Sequence, residues 1–240
     1  YFVVFVVFIA SIIRGFNGFG FSATCISLIS FILPTIEIVP IILILEVLVS
    51  VFMIPYIWSN IDWKFVFQIL IGIMIGTPIG LYLLKFLSPS ITHFSICGIV
   101  IFFVILQIRG YSNKKINNLP VKILTGSVSG VVNGLGTLGG MPVSLFLLIT
   151  RVKPMIIRGS LAAIFFLTDI YAFSLSYLGG IVDLTAIYRI LILIPILPLG
   201  VFIGNKLFVK SKEETYRKYV FYFLVIVSII GIIKVINNLY

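Results

Sequence analysis

Charge is what this sequence has least of. Only 10% of its 240 residues are Asp, Glu, Lys or Arg, against 61% hydrophobic residues and a mean hydropathy of +1.27. A soluble domain is excluded, because there is too little polar surface to cover one; the chain reads as a multi-pass protein of the cytoplasmic membrane. Acidic residues number 7 against 17 basic ones, a net charge of +10. In a soluble protein that excess would suggest nucleic acid. Here it belongs to loops facing anionic lipid, so the bilayer is the expected partner and nucleic acid is not. Histidine occurs once, at His93, and cysteine twice, at Cys25 and Cys97, both inside apolar runs without a CxxC spacing. Buried thiols are expected rather than a disulfide or a metal site. No HExxH, no GxSxG and no ATP-binding loop occurs. An embedded enzyme would have to work with Glu46 and Asp169 alone, and any pumping must draw on an ion gradient or a separate partner. No cofactor is expected.

What is present is a series of apolar runs near the roughly 20 residues that a bilayer requires. They cover about residues 1–33, 38–58, 64–85, 91–109, 121–149, 156–178, 184–205 and 216–236. The first is too long and too glycine-rich for a cleaved signal peptide and is kept as structure. It and the fifth run to about 30 residues, so straight helices would measure ~45 Å at 1.5 Å per residue, beyond a hydrocarbon core of about 30 Å. Both carry glycine clusters: Gly15, Gly18 and Gly20 in one, and Gly126, Gly130, Gly134, Gly136, Gly139 and Gly140 in the other, with Asn133, Thr137 and Pro142. Each Gly costs about 1 kcal/mol against Ala in a helix interior and Pro about 3. Each run therefore reads as two half-helices around an open break, at 17–20 and at 133–140. Non-helical backbone at membrane depth is tolerated only where protein buries it or water lines it, which describes a binding site.

Loop charge orients the runs. Arg109, Lys114, Lys115 and Lys122 precede the fifth run, and Arg151, Lys153 and Arg158 follow it. Both loops read as cytoplasmic, so run five is expected to enter and return as a re-entrant hairpin. Lys64, Lys206, Lys210, Lys212, Arg217 and Lys218 also fall inside, while Lys85, Lys234 and the loop with Glu37 fall outside. Arg14 and Arg189 remain within the membrane, Arg189 close enough to its outer face to snorkel. Tyr56, Trp58 and Trp63 suit an aromatic belt, and His93 an interfacial position.

The halves repeat each other. Asn17-Gly18-Phe19-Gly20 aligns with Asn133-Gly134-Leu135-Gly136, Ile61-Asp62-Trp63 with Val182-Asp183-Leu184, and Pro78-Ile79-Gly80 with Pro198-Leu199-Gly200, at offsets of 116, 121 and 120. The expected fold is an all-α polytopic membrane protein of two inverted repeats, each a broken or re-entrant helix pair plus three transmembrane helices. The repeats are residues 1–110 and 120–240, joined by a cytoplasmic linker at 111–119. That is the usual build of a secondary transporter. The competing arrangement is a parallel four-plus-four bundle whose glycines only permit close packing. In the inverted arrangement the two breaks approach each other near the membrane centre, from opposite sides.

Ionisable groups inside a span cost ~2.5 to 3.5 kcal/mol at a helix centre and mark function by default. Glu46 and Asp169 are candidates for taking up a coupling proton; alternatively each is paired with an intramembrane Arg or an orphan amide and never titrates. Arg14 and Arg158 are candidate anion contacts, since guanidinium forks and free amides at half-helix N-termini supply positive potential. Asn17, Gly18, Gly20, Ser22, Asn133, Gly134, Gly136, Thr137, Gly139 and Gly140 complete the candidate substrate site. No residue set suits a metal.

Five segments occur in order along nearly the whole chain: Gly15-Phe16-Asn17-Gly18-Phe19-Gly20, Ser129-Gly130, Gly139-Gly140-Met141-Pro142, Ile157-Arg158-Gly159-Ser160-Leu161-Ala162-Ala163 and Gly204-Asn205-Lys206-Leu207-Phe208. Together they resemble the sulfite exporter TauE/SafE family of anion transporters. That family typically shows Gly-Gly-Pro-Pro where this chain has Gly-Gly-Met-Pro, which loosens the backbone at Met141. The resemblance implies transport of a small sulfur-containing or organic anion. A proton-coupled secondary transporter is the leading expectation and a passive anion channel the closest alternative. The anion, its direction, the coupling ion and the oligomeric state, a homo-oligomer included, stay open.

Overall fold

A computed structural model describes residues 1–29, 32–88, 91, 95, 98, 102, 117–150, 152–180, 184–212, 214–216, 218, 219, 222, 226 and 229. Most of the expected fourth and eighth spans and of the linker, with His93, Cys97, Arg109, Lys114, Lys115, Arg151, Asp183, Arg217 and Lys234, lie outside the described residues. All regular structure among the described residues is helical. The helices are α1 (Phe2–Asn17), α2 (Phe21–Ile29), α3 (Thr35–Ile57), followed by a short 3-10 turn, α4 (Trp63–Phe86), α5 (Leu119–Gly136), α6 (Gly140–Ile149), α7 (Pro154–Leu178), α8 (Leu184–Leu193) and α9 (Ile196–Lys210). Among the described residues, three stretches are long and apolar enough to cross a membrane: Ile36–Asn60, Trp63–Phe86 and Pro154–Leu178. Phe67, Ile71, Met74, Ile75, Ile79, Tyr82 and Phe86 of α4 stay exposed, an apolar face suited to lipid rather than water.

Local chemistry sets the helix ends. The Asp62 carboxylate accepts from the Phe65 amide at 3.0 Å and the Asn118 side chain from the Val121 amide at 3.1 Å, capping α4 and α5. Both long runs divide. α1 stops at Gly18, which takes the left-handed conformation (φ 84) that glycine adopts without strain. α5 stops at Thr137, whose φ of 53 is the same left-handed turn made by a residue that disfavours it. The second break thus occupies 137–139, narrower than expected, and Asn133, Gly134 and Gly136 continue the helix. Run seven also divides, at Ile194 and Pro195, into α8 and α9.

Glycines keep α5 helical because another helix lies against them. α4 packs on α5, and α1 on α9, with backbone touching backbone. A Cβ on Gly76 would strike Ser127 O and Val131 N; one on Gly200 would strike the Ser11 Cβ and meet Phe8 O and Ile12 N. A Cβ on Gly80 would strike Val131 O and the Gly134 Cα, and one on Gly204 would strike Ile12 O and the Gly15 backbone. The two seams are one contact made twice, of the small-residue type that lets membrane helices approach closely. Along the seams Gly200 lies against Phe8 and Ile12 as Gly76 lies against Ser127 and Val131, and Gly204 against Ile12 and Gly15 as Gly80 lies against Val131 and Gly134.

The helix ends sort into two groups. Asp62, Asn117, Lys122, Thr150 and Val152 border one hollow of about 50 Å³, and Lys122 Nζ donates to Gln68 Oε1 at 2.8 Å. The start of α5 and the end of α6 therefore meet, beside the start of α4. Elsewhere Val3 and Val4 of α1 share a cavity with Ile29, Leu33 and Arg189, and Arg189 pairs with Glu37 at 3.2 Å. The start of α1 and the end of α2 meet there, beside the start of α3. Since α3 runs from Glu37 to the turn that precedes Asp62, the two helical hairpins open at opposite ends of α3. Lys85, at the far end of α4, donates to Gly179 O, at the far end of α7.

Candidate functional site

Both breaks border one buried cavity. Phe19, Gly20 and Ser22 from the first, Thr137, Leu138 and Gly140 from the second, and Phe165 from α7 line a space of about 10 Å³, room for roughly one water. α2 begins there at Phe21 and α6 at Gly140. A helix start presents free amides and a partial positive charge, the arrangement that receives anions. Pro142 stands in the first turn of α6, where its missing N–H removes no helical bond. Thr137 is the one non-glycine with positive φ among the described residues, and its buried Oγ1 has no hydrogen-bond partner.

A charged cluster lies beside this cavity. Arg14 is fully buried; its Nη1 is 3.7 Å from Glu46 Oε1, its Nη2 donates to Ser50 Oγ at 2.9 Å, and its guanidinium lies 4.2 Å from the Phe165 ring centre. Across from it Asn133 Nδ2 donates to Asp169 Oδ1 at 3.3 Å. Glu46 is within interaction reach of Ser22 at the start of α2, and Asp169 within reach of both Glu46 and Arg14. Two carboxyl groups face one guanidinium in a region without water contact. Glu46 Oε1 and Oε2, Asp169 Oδ2, Asn133 Oδ1 and Arg14 Nε all lack hydrogen-bond partners. Buried polar atoms are normally satisfied, so these free valences make the cluster a candidate site.

Two hydrogen bonds of this cluster share one spacing. Arg14 to Ser50 and Asn133 to Asp169 both join residues 36 apart, each from the helix before a break to the span that follows it.

A family model described as sulfite exporter TauE/SafE matches residues 3–230. The chain belongs to that family. Searches of curated proteins and of solved structures found no match. Membership in TauE/SafE makes it an integral membrane transport protein.

The remaining candidates of this TauE/SafE chain take other places. Gly18 lies against the Arg158 backbone, and Gly134 against α4. Gly136 ends α5, and Gly139 O accepts from Ser129 Oγ at 2.5 Å. Arg158, 3% exposed, stands on the other side of the first break, with Nη2 donating to Asn205 Oδ1 at 2.9 Å and its guanidinium 4.5 Å from the Phe208 ring centre. Asn17 O accepts from the Tyr216 hydroxyl there at 2.9 Å. Arg189 is half-buried in its pair with Glu37. Cys25 is a buried free thiol, and Trp58 packs edge-on against Trp63 at an exposed corner. Ser50, Phe165 and Tyr216 were missed by sequence reasoning. An isolated Ser, Phe or Tyr in an apolar run carries no signal, and the partners lie tens to hundreds of residues away.

Proposed function

We propose that this protein is a secondary transporter of a small sulfur-containing or organic oxyanion, built as two inverted repeats and coupled to a proton carried by the Arg14, Glu46 and Asp169 cluster. The observation that carries this is the meeting of two chain breaks, from hairpins that open at opposite ends of α3, on one cavity beside that cluster. The duplicated glycine seams support the repeat, because an odd number of crossings per half turns one copy over. Lys64, Lys122, Lys153, Lys206 and Lys210 gather towards the end where α5 begins, and Lys85 and Arg189 towards the other. The positive-inside bias then puts the α5–α6 hairpin on the cytoplasmic side and the α1–α2 hairpin on the outer side.

The helix starts at Phe21 and Gly140 would hold the anion, with Ser22 and Thr137 as side-chain donors. Glu46 already sits at the first of these starts; at the second the Met141 N–H bonds Leu138 O and Pro142 has none, so the Gly140 amide is the donor offered there. An arriving anion raises the negative charge next to two carboxyl groups and favours uptake of a proton by one of them; departure of the anion releases it. A cavity of about 10 Å³ must widen to admit any oxyanion, which supports a carrier with alternating access over an open channel. Sulfite flux into liposomes under an imposed proton gradient tests the reading. The parent should show saturable flux driven by the gradient, and Glu46→Gln or Asp169→Asn should uncouple it. Single-channel currents would reject the carrier, and unchanged coupling in both variants would remove the proton from the mechanism.

A further inference from the structure

We propose that Arg158 forms a second, separate oxyanion site, on the side of the first break away from the central cavity, which holds the transported anion between the cytoplasmic end and the centre. The inference rests on the transporter reading above. The two buried arginines differ in how they are neutralised. Arg14 has Glu46 at 3.7 Å and Asp169 within reach. Arg158 has no carboxylate partner among the described residues: its one side-chain hydrogen bond is to the neutral amide of Asn205, its Nε has none, and the ionisable groups acting on it are the hydroxyls of Tyr216 and Tyr56. Contact with the Phe208 ring face compensates a guanidinium only partly.

A charge taken out of water without a partner is costly enough that proteins rarely keep one idle. Solvent does not supply the counter-charge, since Arg158 is 3% exposed; a bound anion would. The ligand class follows from the donors. The planar fork with a free Nε presents directional N–H groups matched to the oxygens of sulfite or a carboxylate rather than to a spherical halide. The location gives the site a route inward. The Arg158 backbone lies against Gly18, the left-handed residue of the first break, and the Tyr216 hydroxyl bonds the neighbouring Asn17 carbonyl. An oxyanion on Arg158 is one loop away from the cavity lined by Phe19 and Gly20.

Asn205→Asp is the deciding variant, because it places a carboxylate where the amide oxygen now stands 2.9 Å from Arg158 and changes almost no volume. Binding of sulfite to the purified full chain is measured by calorimetry at constant ionic strength set with chloride, with sulfate as a second probe. Asn205→Asp should weaken sulfite binding at least tenfold and raise the ligand-free melting temperature, since the built-in carboxylate replaces the guest. Arg158→Gln should weaken binding to a similar degree, and Arg158→Lys should recover part of the loss. Parent-like sulfite affinity in Asn205→Asp overturns the second site and leaves the transporter standing. Absence of oxyanion binding by the parent protein overturns both.

Discussion

Gly76→Ala sets two physical effects against each other. Helix propensity alone favours the substitution by about 1 kcal/mol. The fold opposes it: the new Cβ would strike Ser127 O, and would stand 2.8 Å from Val131 N and 3.0 Å from Ser127 C. All three atoms are α5 backbone, so no side chain can rotate away. Carbon contacts are optimal near 3.5 to 4.0 Å, so α4 and α5 must part by roughly 1 Å or more. Gly72 and Gly80 on the same face, opposite Gly126, Gly130 and Gly134, would lose their contacts as the seam opens. Overpacking of this kind costs about 1 to 3 kcal/mol, and the propensity gain leaves a net loss of up to ~2 kcal/mol. Unfolding by SDS in mixed micelles, followed through Trp58 and Trp63 fluorescence, measures it. Gly200→Ala meets the Ser11 Cβ first and then, at 3.0 and 3.2 Å, the backbone atoms Phe8 O and Ile12 N, and should also be destabilising. Gly98→Ala meets no atom within 4 Å and should be neutral or slightly stabilising. If Gly76→Ala were more stable than the parent by the full ~1 kcal/mol of helix propensity, the backbone-to-backbone seam would be wrong.

Three further outcomes are expected. Arg14→Gln removes the guanidinium from two buried carboxyl groups and should cost ~3 to 5 kcal/mol, the loss typical of breaking a buried pair; Glu46→Gln should cost less, because Asp169 still faces Arg14, and the same SDS titration ranks them. Thr137→Gly relieves a left-handed turn at a β-branched residue and should stabilise by about 1 kcal/mol, while loss of its hydroxyl from the cavity weakens sulfite binding; a variant that is stabilised and binds sulfite like the parent would separate the strain from the site. Glu37→Ala breaks a pair whose side chains are 40% and 48% exposed, so its effect on stability should stay under ~1 kcal/mol, diminish in salt and leave flux unchanged.

Much of the architecture was legible in the residue string. Apolar runs of 30 residues with internal glycines had to break, and they do, at Gly18 and Thr137. The return of run five followed from basic residues on both flanks, and Lys122 and Thr150 do border one hollow. Details that depend on contact between distant segments were not legible. Gly134 looked like part of an open break because nothing in the sequence announces α4 behind it. Asn133 and Asp169 stood out as polar residues in apolar runs, but their hydrogen bond did not, and neither did the burial of Arg14 between Glu46 and Ser50.

The sequence by itself determined that the chain lives in a membrane, where its long runs divide and which polar groups are out of place in lipid. These follow from composition and from the cost of glycine, proline and charge, which act locally. Tertiary structure decided how the charges are shared. Arg14 is neutralised by groups on α3 and α7, whereas Arg158, which the loop-charge reading put in a cytoplasmic loop, is buried with an amide and an aromatic face. Only packing can distinguish them, because pairing between charges depends on distances of a few ångströms that sequence separation does not encode. The opening between α2 and α6 is likewise a property of two hairpins brought together by their seams with α9 and α4.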